Sequence, residues 1–193
     1  MCLMRWRVRD FKMAEISYAL EQNFKDFFST FKETSKDNHD KGELPQYLCM
    51  DESQNVINFD KIMEDRYPDP NNRPQSFDAV YIYHDKVYCI EFKNQRNPDN
   101  KDLKGKLLDG KNEFDKILGE INVRKDDYSF IYCVAHKNCK PHHDRYKCGI
   151  AKGVPRFALG KYKESGFIDD IFTEDINFFT KQFKKQTLKE LAC

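Results

Sequence analysis

The stretch that decides the fold is SFDAVYIY (76–83), followed by HDK (84–86) and VYCIEFK (87–93). Two runs rich in β-branched and aromatic residues flank three polar residues, which is the pattern of a strand, a tight turn and a second strand. Successive side chains of a strand point to opposite faces. Val87, Cys89, Glu91 and Lys93 therefore share one face, and Tyr88, Ile90 and Phe92 share the other. Glu91 stands between two large apolar residues, in a strand that reads as buried. A buried carboxylate is costly unless it is paired or binds something.

The turn brings a second carboxylate to the same end of the hairpin. If the turn is Asp85–Lys86, Asp78 falls across from Lys93; if it is His84–Asp85–Lys86, Asp78 faces Phe92. In either register two carboxylates and an ammonium converge at the open end. Carboxylates supply hard oxygen ligands for Mg²⁺ or Mn²⁺. Such an ion polarises a phosphate and lowers the pKa of a bound water. A neighbouring lysine can offset charge in the transition state. A surface ion pair would account for Glu91 and Lys93 more cheaply, but not for Asp78 arriving beside an apolar central strand.

Outward from the hairpin, residues 13–32 read as one helix, with Ile16, Leu20, Phe24, Phe27 and Phe31 near a 3.6-residue period. Residues 33–46 read as a loop, and 47–64 as a short strand with a turn. Residues 66–76 hold three Pro and two Asn and read as a loop or lid. Residues 101–118 read as a helix with Leu103, Leu107, Phe114 and Leu118 as its stripe, weakened by Gly105 and Gly110. SFIYCVA (129–135) reads as a third strand. Thr173 is the expected cap of a last helix over about 173–191.

In this order the chain resembles the PD-(D/E)XK nuclease superfamily, with its restriction-endonuclease-like fold. The resemblance rests on Asp78 and its hairpin, then on Glu91, Lys93 and Gln95, and runs over about residues 13–135. It implies an α/β fold in which helices flank a mixed central β-sheet. Asp78 and Glu91 would bind Mg²⁺ or Mn²⁺, Lys93 would be the catalytic lysine, and Gln95 would fill a polar position beyond it. The family's first-helix carboxylate would fall on Glu21, or on Glu15. Phe77 stands where the family pattern has proline. The implied activity is hydrolysis of phosphodiester bonds in DNA. The alternative is a nuclease-like module that has lost catalysis and binds nucleic acid or a protein.

Composition bounds these readings. With 193 residues, one domain is expected, with residues 1–12 as a possible extension. Charged residues make up 34%, but aromatic residues reach 14%, too many for a disordered chain. A nuclease-like core nearly fills this length, so the expectation is modest specificity, a partner protein that supplies targeting, or self-association as a homodimer. Net charge is only +1, so any nucleic-acid surface must be local. Residues 93–147 carry 13 Lys or Arg against 9 Asp or Glu. Arg96, Lys104 and Lys111 are the candidate phosphate contacts.

No run is long and apolar enough to span a membrane. Seven cysteines without a signal-peptide pattern point to a reducing, cytoplasmic (intracellular) setting. Cys89 and Cys133 read as small core residues. His136, Cys139, His142, His143 and Cys148 are potential structural zinc ligands, but lack a clean CxxC spacing. Cys49, Cys139, Cys148 and Cys193 fit poorly to the iron–sulfur pattern that some nucleases of the superfamily carry.

Overall fold

The structure is a computed structural model that describes residues 16–37, 45–95, 98–137 and 157–193. Its frame is a mixed six-stranded sheet with helices on both faces. In chain order the elements are α1 (residues 16–24), β1 (Phe28–Thr30), α2 (Phe31–Thr34), β2 (Lys36–Asp37), β3 (Gln46–Tyr47), β4 (Asn55–Asn58) and α3 (Phe59–Arg66). Then follow β5 (Ala79–Tyr83), β6 (Lys86–Lys93), α4 (Asn100–Glu120), β7 (Ser129–His136), α5 (Gly160–Glu164), β8 (Asp170–Asp175) and α6 (Ile176–Thr187). The sheet order is β1-β4-β5-β6-β7-β8; β2 and β3 form a separate small ladder. The pairs from β1 to β6 are antiparallel, while β6–β7 and β7–β8 are parallel. The parallel step from β6 to β7 is spanned by α4, as a crossover requires.

Two apolar layers sandwich the sheet. On one face, Ile16 and Leu20 of α1, Ile62 and Met63 of α3, and Leu103, Leu107 and Phe114 of α4 pack on Val80, Val87, Cys89 and Tyr132. On the other, Phe31 and α6 residues Ile176, Phe179 and Phe183 pack on Ala79, Tyr81, Tyr88, Ile90 and Phe92. The period-two reading of β6 thus holds. Cys89 and Cys133 are buried free thiols, as expected.

Several local expectations change. The helix expected over 13–32 ends early. After a 3₁₀ turn at Lys25–Phe27, Phe28–Thr30 pairs with β4. Thr30 then accepts a hydrogen bond from Glu33 N and caps α2. Ser and Thr compete with a continuing helix in this way. Phe31 consequently crosses to the opposite face from Leu20. The stretch expected to hold only a short strand and turn contains α3, capped by Asn58 Oδ1 accepting from Lys61 N at 3.0 Å. Thr173 lies within β8, and the true cap of α6 is Asp175, which accepts from Phe178 N at 3.0 Å.

Cys49 and Cys193 are joined by a disulfide across 144 residues of sequence. The cysteine reading did not anticipate this bond, and it removes both from any cluster-binding set. Among the described residues, no helix is long and apolar enough to cross a membrane.

Candidate active site

The hairpin turn is two residues, His84–Asp85, with His84 in the left-handed region at φ 57°. This is neither of the turns considered from the sequence. Tyr83 pairs with Lys86 and Ala79 with Ile90, so continuing the register sets Asp78 directly opposite Glu91. Asp78 N donates to Ile90 O at 3.0 Å, and Asp78 Oδ2 accepts from Phe92 N at 2.6 Å. The carboxylate is thereby fixed at the strand end, with Oδ1 left toward Glu91 and α4.

Glu91 is fully buried. Its Oε1 lies 3.0 Å from Lys93 Nζ and 2.7 Å from Lys106 Nζ. Both contacts are ionic and not aligned as hydrogen bonds, and Oε2 has no hydrogen-bond partner among the described residues. Lys106 Nζ also lies 3.6 Å from Asp78 Oδ1. Lys93 Nζ reaches Asp102 Oδ2, in the first turn of α4, at 2.6 Å. Asp60 of α3, hydrogen-bonded by Ser76, adds its field at the edge of the cluster.

Burial, followed by the Glu91 charge, holds the Asp78 carboxyl well above its ordinary pKa. Burial also raises Glu91, against the pull of Lys106 and Lys93. For Lys93 burial works against the charge, but the net shift is upward because Glu91 and Asp102 outweigh it. Lys106 is raised in the same way by Glu91 and Asp78. Both ammonium groups thus stay charged.

Asp78, Glu91 and Lys93 therefore come together. Glu21 does not join them: it is exposed on α1 and lines a groove with Lys25, Asn55, Val80 and Ile82, toward the hairpin turn. Gln95 is exposed beyond β6, where its carbonyl accepts from Lys137 N at 3.2 Å. Lys111 is not a surface cation. It is buried over the Phe130 and Phe167 rings, with Nζ 2.8 Å from Asp115, because it falls on the inner stripe of α4. Lys104 is half-buried on α4. Glu15, Arg96, Cys139, His142, His143 and Cys148 lie outside the described residues; His136 is buried at the end of β7.

Lys106, Asp102 and Asp60 are the residues that sequence reasoning missed. Lys106 follows Leu103 by three positions and precedes Leu107, so it borders the buried stripe of a helix that must cross the Glu91 face. That was a usable signal.

Among the described residues, no group of three or more His, Cys, Asp and Glu could hold a metal ion. Among the described residues, Asp78 and Glu91 are the facing carboxylates, and Glu91 Oε2 is buried without a hydrogen-bond partner. Carboxylate oxygens of this kind are of the chemical type that Mg²⁺ or Mn²⁺ takes. No protein-family model, curated protein or solved structure matches the chain.

Proposed function

We propose that the chain is a divalent-metal-dependent nuclease that hydrolyses phosphodiester bonds in DNA, on a restriction-endonuclease-like core. The observation that carries this reading is Asp78 standing opposite Glu91, with Lys93 on the same strand face and a buried Glu91 oxygen without a hydrogen-bond partner among the described residues. The succession of antiparallel hairpin, crossover helix and parallel strand supports the core assignment.

Asp78 and Glu91 would hold Mg²⁺ or Mn²⁺, which when bound polarises a phosphoryl oxygen and acidifies a coordinated water. Phe92 N fixes Asp78, and Glu91 is fully buried beside Lys93, so neither carboxylate has to be ordered on binding. Asp102 holds the Lys93 ammonium beside the pair. There it offsets negative charge on the phosphoryl oxygens as water adds and the 3′ oxygen leaves. The half-buried Lys104 is the remaining described candidate for phosphate contact.

The test is cleavage of supercoiled plasmid and of single-stranded DNA with Mg²⁺ or Mn²⁺. Expected are cleavage, its arrest by EDTA, and its loss in Lys93→Ala and Asp78→Ala. A wild type that cleaves neither substrate and binds no Mn²⁺ would overturn the reading. One observation favours a second reading, a non-catalytic nucleic-acid-binding or protein-interaction module: Lys106 already neutralises the carboxylate pair from within. DNA binding without cleavage would select it.

A further inference from the structure

Lys106 has no place in the scheme above, yet it makes the shortest ion pair that Glu91 has. Its Nζ faces both carboxylates, 2.7 Å from Glu91 Oε1 and 3.6 Å from Asp78 Oδ1. The side chains concerned are 19%, 0% and 14% exposed. Two buried carboxylates placed across one strand pair repel each other, and a single ammonium between them relieves that repulsion.

Resting on the metal-site reading, we propose that Lys106 is the resident cation of this site: it fills the position between Asp78 and Glu91 and withdraws when a divalent ion enters. Lys106 faces both carboxylates that would hold a divalent ion, so ammonium and ion would exclude one another by charge and by space. The exchange needs a flexible tether and somewhere to go. A lysine stem supplies the first. The solvent at the mouth of the site, to which the Lys106 side chain is already 19% exposed, supplies the second. Lys93 cannot play this part, because Asp102 holds it from the far side at 2.6 Å. The unpartnered Glu91 Oε2 is the independent sign that the pocket is built for more than the lysine, whose Nζ reaches only Oε1.

The experiment titrates Mn²⁺ into the full chain by calorimetry, for wild type, Lys106→Met and Asp78→Asn. Lys106→Met is expected to bind one Mn²⁺ about tenfold or more tightly than wild type, since a unit charge beside the ion is removed; Asp78→Asn should bind none. Equal or weaker binding by a folded Lys106→Met, alongside a wild type that binds one ion, overturns the exchange and leaves the metal site standing. Absence of binding in both wild type and Lys106→Met overturns the metal site and this proposal together. Should Lys106→Met fail to fold, the wild-type chain still decides. Reductive methylation read by mass spectrometry is expected to modify Lys106 several-fold faster under saturating Mn²⁺ than under EDTA. An unchanged or slower rate overturns the proposal.

Discussion

Lys93 is held by Asp102: Nζ to Oδ2 is 2.6 Å, a bridge from the end of β6 to the first turn of α4. The lysine is thus clamped between a buried and a half-exposed carboxylate. Removing the ammonium should slow single-turnover DNA cleavage by about a hundredfold or more. Asp102→Asn should cost about tenfold in the same assay with little change in the DNA concentration at half-saturation, because it loosens the lysine without touching the carboxylate pair. Equal losses in both variants would argue that Asp102 acts on the substrate itself.

Asp78 sets a pH dependence of stability. Its pKa is raised in the fold by burial and by Glu91, so above the ordinary carboxylate range the folded protein holds this proton more tightly than the unfolded chain. Stability of the ion-free protein therefore falls as pH rises through that window. Asp78→Asn should raise Tm at neutral pH without metal, flatten this slope, and abolish cleavage. A lower Tm for Asp78→Asn at neutral pH would mean that the lysines more than balance the buried charge.

Two glycines of α4 should respond in opposite senses to alanine. A Cβ at Gly110 would meet Phe77 Cδ1 at 2.8 Å, with the Phe77 backbone at 3.4 Å. Phe77 is stacked on Phe59 and cannot yield. Gly110→Ala should lose about 1–3 kcal/mol by overpacking, despite its better helix propensity. A Cβ at Gly105 would collide with the Gln75 amide, the end of an exposed, flexible side chain. Gly105→Ala should be neutral or gain up to about 1 kcal/mol. Urea denaturation of both variants checks the signs.

The disulfide Cys49–Cys193 closes a very long loop. Its loss through Cys49→Ser should cost about 2–4 kcal/mol, seen as a lower Tm that no longer depends on reductant. The tail need not detach, because Met50 N still donates to Ala192 O and Ala192 N to Asp51 Oδ2, both at 3.0 Å. Tm measured with and without excess dithiothreitol separates the bonded from the reduced form.

The hairpin, the crossover helix and β7 were legible because each has a strong period: alternation in 79–93, a leucine stripe in 103–118, and an apolar run at 129–135. The register was not, because both turns considered included Lys86, whereas His84 accepts the left-handed backbone and Lys86 opens β6. The run 16–31 kept a helical period while its chain changed structure. Ile16 and Leu20 serve one face of the sheet and Phe31 the other, and a one-dimensional pattern cannot separate two cores. Lys111 looked like a surface cation because a lysine is read as solvated by type, although its spacing from Leu107 and Phe114 sets it on the inner stripe, where it meets Phe130 and Phe167. Lys106 was missed for the converse reason: its partners lie on another element.

The turn at His84–Asp85 has a consequence for how the site can change. Asp78 and Glu91 are thirteen positions apart and joined by this one connection, so the turn acts as a ruler for them. Moving the register at the turn by a single residue along the chain would shift one strand against the other and leave Glu91 facing a neighbour of Asp78. Because strand neighbours point to opposite faces, the carboxylate pair would be split across the sheet. Substitutions at the turn that move this register by one residue should therefore be as damaging as replacing Asp78 outright, although the turn lies at the far end of the hairpin.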